Sequence, residues 1–192
     1  IMLQDMGSHA ARPGAEMERE TLAKAMIETL DRAEMPDTLR HWFVLQLERI
    51  GKGESVPALV KLMSADDAHL RDYARRALEK NPDPSATEAL LKELASAKDA
   101  ARKIGLIDAL GQRRAEEAID PIAATLGDLD PGVASAAATA LSNIGGAESA
   151  KALFSVLNKP LGPVSIKAAE ALIDIARERT AHNDVVNAGK LY

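Results

Sequence analysis

Apolar residues recur along the chain at an interval much longer than a helical turn. Three columns repeat in steps of 31 residues, with one step of 32: Leu47, Leu78, Leu110, Leu141 and Leu172; Leu59, Leu90, Ile122 and Leu153; and Met63, Leu94, Leu126 and Leu157. All three columns place the longer step in the same interval, so a single insertion explains it, most simply in the turn 95–101. Chance apolar patterns would not share an insertion, and the spacing therefore predicts an internal repeat.

Each repeat has the pattern of two short helices. The first, such as 56–63, is apolar at i, i+3, i+4 and i+7, with a proline near its start at Pro57 or Pro121. The second, such as 70–78, follows an aspartate that we expect to cap it; these aspartates are Asp67, Asp99 and Asp130. Three glycines, Gly51, Gly111 and Gly145, fall where the second helix is expected to end in a left-handed residue.

An isolated helix pair of this kind could not bury its apolar stripe, so neighbouring pairs must stack. The second helices carry small residues that allow close packing: Ala74, Ala77, Ala109, Ala137, Ala140, Ala168 and Ala171. The pattern predicts an all-α fold, a right-handed α-solenoid of about five stacked helix pairs. The helix 16–30 is expected to close one end, and Leu39, which lies 31 residues before Leu70, places the helix 39–50 in the series.

The ends of the chain differ from the repeats. Residues 1–14 contain "GSHA" and are expected to be a tag remnant or a disordered leader, ahead of a single repeat domain over 15–180. Residues 181–192 lack an amphipathic period, so they form either an irregular cap or the point where a longer protein continues. An uncapped end would expose Leu172 and Ile175 and would favour self-association.

Composition narrows the function. Hydrophobic residues make up 46% of the chain and aromatic residues only 3%, so burial depends on aliphatic side chains. The absence of cysteine excludes disulfides and thiolate chemistry, and a net charge of −5 argues against a nucleic-acid partner. No apolar run reaches the ~18 residues of a membrane helix, so no membrane insertion is expected. Composition does not determine the compartment; the cytoplasm is favoured, and the periplasm is open if a signal peptide was removed.

The second helix carries a recognisable motif of Asp, then Leu or Val, Arg, and "AL", as in Asp67, Leu70, Arg71 and Leu78. Over roughly 21–179 the chain resembles the short, bacterial-style HEAT repeat of the phycobilisome-lyase type. The resemblance implies an armadillo-like superhelix that binds proteins. The family's arginine is matched by Arg40 and Arg71, with Lys103 in the next unit, and is lost at Ala134 and Ser165, so we expect its Asp–Arg ladder only in the N-terminal half.

Candidate chemistry is sparse. The four histidines, His9, His41, His69 and His182, include no pair three or four residues apart, so no helical metal site is predicted. The acidic pairs at 66–67 and 116–117 read as turn residues, and "GKGES" at 51–55 lacks the spacing of a phosphate loop. We expect neither a cofactor nor catalytic residues.

A helical wheel defines a candidate partner-binding face on the second helices. Positions two, five and six residues before the repeated leucine, and two after it, point away from the core. The candidate residues are His41, Trp42, Leu45, Arg49, Asp72, Tyr73, Arg76, Lys80 and Asp108. Their charge is mixed, and they include the Trp, Tyr and Arg side chains typical of binding hot spots. Alternatively, Trp42 packs beneath the N-terminal helix.

These observations predict a non-enzymatic interaction module or scaffold that binds a protein or peptide through this face. The repeat type leaves two alternatives open. One is an accessory subunit like those of phycobilin lyases, and the other is a HEAT-like DNA-binding protein.

Overall fold

The computed structural model describes residues 7–30, 32, 34–157 and 162–181, and all regular structure in these residues is helical. The chain divides into two compact units, Ile1–Ala89 and Leu90–Tyr192. The predicted all-α repeat fold is confirmed within each unit.

Besides the helical residues 7–10, the described part of the first unit contains four helices and the start of a fifth. They are α1 (Glu16–Leu30), α2 (Asp37–Ile50), α3 (Val56–Leu62), α4 (Ala68–Lys80) and α5 (Pro84–Ser96), which continues into the second unit. A short 3-10 turn, Gly53–Ser55, precedes α3. Helix α2 packs against both α1 and α4, and α3 packs against α4.

The second unit continues the alternation of first and second helices. Its helices are α6 (Ala100–Gln112), α7 (Ile119–Ala124), α8 (Pro131–Ile144), α9 (Gly146–Leu157) and α10 (Pro163–Ala181). The second helices of successive repeats stack directly, α6 on α8 and α8 on α10. The short 3-10 turns Glu116–Ala118 and Thr125–Gly127 flank α7.

The repeated apolar columns form the cores of the two units. No member of the first column is more than 4% exposed, and every member of the second is fully buried. In the third column Met63, Leu94 and Leu126 are buried, whereas Leu157 is half-buried. The register read from the spacing is therefore confirmed. Helix α5 runs on to Ser96, beyond the position equivalent to the end of α3, and so reaches into the turn where the extra residue is predicted.

All three predicted aspartate caps are present. The Asp67 carboxylate accepts hydrogen bonds from the backbone N–H groups of His69 and Leu70, and Asp99 accepts one from Arg102. Asp130 accepts from Gly132 and Val133. Each cap satisfies backbone donors that the first turn of its helix leaves without partners.

The three glycines behave differently from one another. Gly145 ends α8 with φ of 75°, as predicted. The prediction is wrong for Gly51, which has an extended backbone (φ −69°, ψ 141°). It is also wrong for Gly111, which lies inside α6, where a Cβ atom would stand 2.8 Å from Cα of Ala140. Gly111 therefore serves close helix packing rather than helix termination.

The ends of the chain are only partly described. Residues 7–10 are helical, and Gly7 and Ala10 are buried, while the assignment of 1–14 as a leader stays a prediction. Residues 182–192 lie outside the described residues. Leu172 and Ile175 are 4% and 1% exposed, so the exposure expected for an uncapped end is not found; the exposed isoleucines of α10 are Ile166 and Ile173.

Candidate partner-binding surface

Eight of the nine candidate residues lie together in the first unit, on α2 and α4. None of the eight is buried: Arg49, Asp72 and Lys80 are exposed, and His41, Trp42, Leu45, Tyr73 and Arg76 are half-buried. We call these eight residues the α2–α4 surface. The ninth, Asp108, is exposed on α6 in the second unit. The outward orientation read from the wheel agrees with these exposures, and a role in partner binding stays a prediction.

An aromatic cluster joins α2 to the start of α4. His41 Nε2 lies 2.5 Å from Asp67 Oδ2, and the His41 ring meets the Tyr73 ring edge-on, with centroids 5.5 Å apart. The His69 ring lies 6.5 Å from Tyr73 on the other side of this contact. The hydrogen bond from His41 is the main reason that the pKa of Asp67 lies below its usual range; partial burial opposes it, and the N–H groups of His69 and Leu70 reinforce it.

Trp42 rests on its neighbour Phe43. The two ring centroids are 5.5 Å apart with the planes tilted by 56°, and Phe43 is 8% exposed. The buried Phe43 thus contacts the indole, and the half-buried Trp42 retains an accessible part. Such an arrangement limits the rotamer freedom that Trp42 would lose on contact with a partner.

The C-terminal halves of α2 and α4 are bridged by one carboxylate. Glu48 Oε1 accepts a hydrogen bond from Lys80 and lies 3.6 Å from Arg76 Nη2. The Glu48 side chain is only 10% exposed, whereas Arg76 and Lys80 are 43% and 52% exposed. Next to Glu48 along α2, Arg49 is exposed and has no ion-pair partner among the described residues.

The arginines that face the turns and the side of α4 have structural partners. Arg71 Nη1 donates to the backbone carbonyls of Ala65 and Asp66, and Arg75 bridges Asp72 at 2.7 Å and Glu79 at 3.1 Å. The expected Asp–Arg ladder is wrong at Arg71, because this side chain donates to backbone carbonyls of the turn and not to an aspartate carboxylate. Lys103 in the second unit does pair with a carboxylate, Asp128, at 2.7 Å.

Two buried polar side chains that the pattern did not single out hold the turn between α2 and α3. Arg19 Nη1 donates to the carbonyl of Ile50 at 2.7 Å and to Glu54 Oε1 at 2.6 Å. Asn81 Nδ2 donates to the carbonyl of Lys52 at 3.0 Å and to Ser55 Oγ at 3.1 Å. Both stabilise the end of α2 that carries Arg49. A charged residue on the apolar side of α1 was the available signal for Arg19.

The second unit contains a shallow cleft at the ends of α6, α8 and α10. Its volume is about 250 Å³, and Ile144 and Ile175 line it together with the ion pair of Arg114 and Glu178, whose atoms are 2.9 Å apart. Arg114 has φ of 50° in the turn after α6. Across the described ranges, no group of three or more His, Asp or Glu side chains is placed to hold a metal ion. None of the helices within those ranges has both the length and the apolar character needed to cross a bilayer.

Comparison with known families identifies the repeat. Residues 87–173 match the family model described as HEAT repeats. This segment therefore has the sequence pattern of HEAT repeats, which confirms the resemblance read from the Asp, Arg and "AL" motif. No curated protein matches its sequence.

Solved structures with a similar fold include natural and engineered repeat proteins. The complex of CpcE and CpcF of phycocyanin lyase from Nostoc sp. PCC7120 matches with a TM-score of 0.50 and 22% identity, over 89% of this chain and 76% of that one. A designed armadillo repeat protein in complex with the peptide (KR)4 gives 0.49 and 19%, over 90% and 91%. An engineered protein gives 0.47 and 22%, over 89% and 87%. At these identities the similarity to the phycocyanin lyase complex concerns the fold.

Proposed function

We propose that this chain is a non-enzymatic interaction module that binds a protein or peptide through the α2–α4 surface. The observation that carries the proposal is the set of half-buried aromatic side chains on this surface: His41 meets Tyr73 edge-on, and Trp42 contacts Phe43. Arg49 and Arg76 border them. Trp, Tyr and Arg are the side chains that most often dominate the free energy of protein interfaces.

The surface is preformed, which favours binding. The contact between His41 and Asp67 joins α2 to the cap of α4, and Glu48 joins the two helices again near their C-terminal ends. Because these cross-helix contacts already hold the side chains in place, a partner would lose less conformational entropy on ordering them. The CpcE–CpcF complex supports the proposal, since it is a case in which this fold occurs in a protein–protein assembly.

The test is affinity capture from the native source at physiological salt, comparing the wild-type chain with Trp42→Ala and Arg76→Glu. We expect both variants to lose most of a partner that the wild type retains. Phe154→Ala and Lys92→Glu are the matched controls, because Phe154 and Lys92 are exposed outside this surface, and they should retain it. Circular dichroism would confirm that all four variants remain helical. Equal capture by the wild type, Trp42→Ala and Arg76→Glu would overturn the proposal.

The alternative role as a lyase subunit is supported by the fold, but no group of residues in the described part of the chain points to it. A chromophore-transfer assay separates it from the proposal. If chromophore transfer required this chain, the chain would be a lyase subunit rather than a non-enzymatic interaction module.

A further inference from the structure

The C-terminal half of the α2–α4 surface carries an excess of positive charge. Three cationic side chains, Arg49, Arg76 and Lys80, lie here, and two of them, Arg76 and Lys80, share a single carboxylate, that of Glu48. The nearby acidic residues Asp72 and Glu79 share a fourth cation, Arg75, along the side of α4, so these four cations and three carboxylates leave one positive charge in excess. The excess is therefore local, although the whole chain has a net charge of −5.

These cations retain donors that Glu48 does not use. Lys80 has three N–H donors and Arg76 has five, and one oxygen of Glu48 receives both contacts. Arg76 and Lys80 are about half exposed, whereas Glu48 lies beneath them at 10% exposure. A second carboxylate approaching from solvent could bind to the same pair of cations, and Arg49 is available on the neighbouring helix.

The apolar part of the surface borders these cations. Leu45 and Trp42 precede Arg49 by one and two turns of α2, and Tyr73 precedes Arg76 by one turn of α4. A ligand that spans the surface would thus meet rings and aliphatic side chains at one end and three cations at the other.

We propose that the partner segment is an acidic peptide that also carries an apolar or aromatic side chain. Its carboxylates bind Arg49, Arg76 and Lys80, and its apolar side chain packs on Trp42, Leu45 and Tyr73. This inference rests on the proposed function and specifies the chemistry of the partner.

A protein segment fits this surface better than a nucleic acid. Nucleic-acid binding draws its affinity from many contacts between phosphates and cations, and here only three cations are offered, beside the apolar side chains of Trp42, Leu45 and Tyr73. Complementary charge would instead select among protein partners and accelerate their association.

The experiment measures fluorescence anisotropy with a labelled peptide of alternating Glu and Leu around one Trp, and with a matched peptide that has Gln in place of Glu. We expect the wild-type chain to bind the Glu peptide about tenfold more tightly or better, with affinity that falls as salt rises. The double variant Arg76→Glu/Lys80→Glu should lose this preference. Arg76→Gln/Lys80→Gln tests the same point with less repulsion of Glu48, and Lys92→Glu is the exposed control on α5.

The outcomes separate the two proposals. Equal binding of both peptides, with loss of both in Trp42→Ala, would overturn the acidic preference and keep the binding surface. If neither peptide bound while capture of the native partner still required Trp42, the acidic inference would also be wrong. If single-stranded DNA displaced the Glu peptide and bound more tightly, the partner would be a nucleic acid and the proposal of an acidic peptide would be wrong. Failure of Trp42→Ala to affect any partner would reject the surface itself.

Discussion

Gly111 of α6 touches the backbone of Ala140 on α8: a Cβ atom built on Gly111 would lie 2.8 Å from both Cα and Cβ of Ala140. The second helices α6 and α8 are in contact at this point, and α6 has no side chain there because the residue is glycine. Since backbone atoms cannot move aside as a flexible side chain can, this contact sets how closely two successive repeats approach within the second unit.

Gly111→Ala should therefore destabilise the protein, although alanine is the better helix former by about 1 kcal/mol. Overpacking at a backbone contact typically costs about 1–3 kcal/mol, which equals or exceeds that gain. Urea denaturation followed by circular dichroism measures the difference. Gly127→Ala is the matched control, because nothing lies within 4 Å of its Cβ position, and it should change stability little. A Gly111→Ala protein more stable than the wild type would show that α6 and α8 can separate freely.

Ala140→Asp should destabilise the same unit by several kcal/mol. Ala140 is 1% exposed, and a carboxylate there would be buried without a partner. Ala147→Asp provides the comparison, since Ala147 is exposed in the first turn of α9, where a negative charge is favourable. Thermal unfolding should show a large fall in Tm for Ala140→Asp only; similar Tm values for both variants would contradict the burial of this helix face.

Arg19→Met should destabilise the first unit by about 2–4 kcal/mol, because it removes a buried donor and leaves the Ile50 carbonyl and Glu54 without it. Lys24→Met removes an exposed pair with Glu20 and should have little effect. Equal urea midpoints for the two variants would be inconsistent with a buried role for Arg19.

The same Arg19 variant has an expected pH dependence. Burial raises the pKa of Glu54, but hydrogen bonds from Arg19 and from backbone N–H groups outweigh it, so the net pKa is lowered. A carboxyl group with a lowered pKa adds stability above its unfolded pKa of ~4.3 and loses it as pH falls through the folded value. The stability difference between wild type and Arg19→Met should therefore shrink on acidification below about pH 4. A difference that grew on acidification would contradict this account.

Asp67 combines two roles that substitutions can separate. Asp67→Asn keeps a capping oxygen but removes the charge beside His41, whereas Asp67→Ala removes both, so Asp67→Ala should be the less stable variant at neutral pH. Because the pKa of Asp67 is lowered, the advantage of wild type over Asp67→Asn should be present above about pH 4 and fade as pH falls further. Urea midpoints measured at several pH values would test both points. Identical pH profiles for wild type and Asp67→Asn would show that the contact with His41 adds nothing.

The repeat spacing predicted much of the fold because burial of the leucine columns follows from helical periodicity alone. Leu47, Leu78 and Leu110 are buried as their shared register indicates, and α1 has the predicted bounds. The wheel likewise identified eight positions of α2 and α4 that are not buried, since on a helix the position along the chain determines the direction of the side chain.

Contacts within the candidate site could not be predicted in the same way. The pairs His41–Asp67 and Glu48–Lys80 join residues 26 and 32 positions apart, and their geometry depends on how two helices cross. The same holds for Arg19, whose acceptor Ile50 is 31 residues away. Gly111 resembled a helix terminator because no local signal reports the approach of a second backbone.

The sequence by itself determined the repeat, its register, the aspartate caps and the set of outward positions, because each of these follows from short-range periodicity and backbone chemistry. The tertiary structure alone decided which outward charges are neutralised, which glycine lies at a helix contact and where a buried arginine finds its acceptors. Those outcomes depend on distances across the packed helices, and no property of a single helix encodes such a distance.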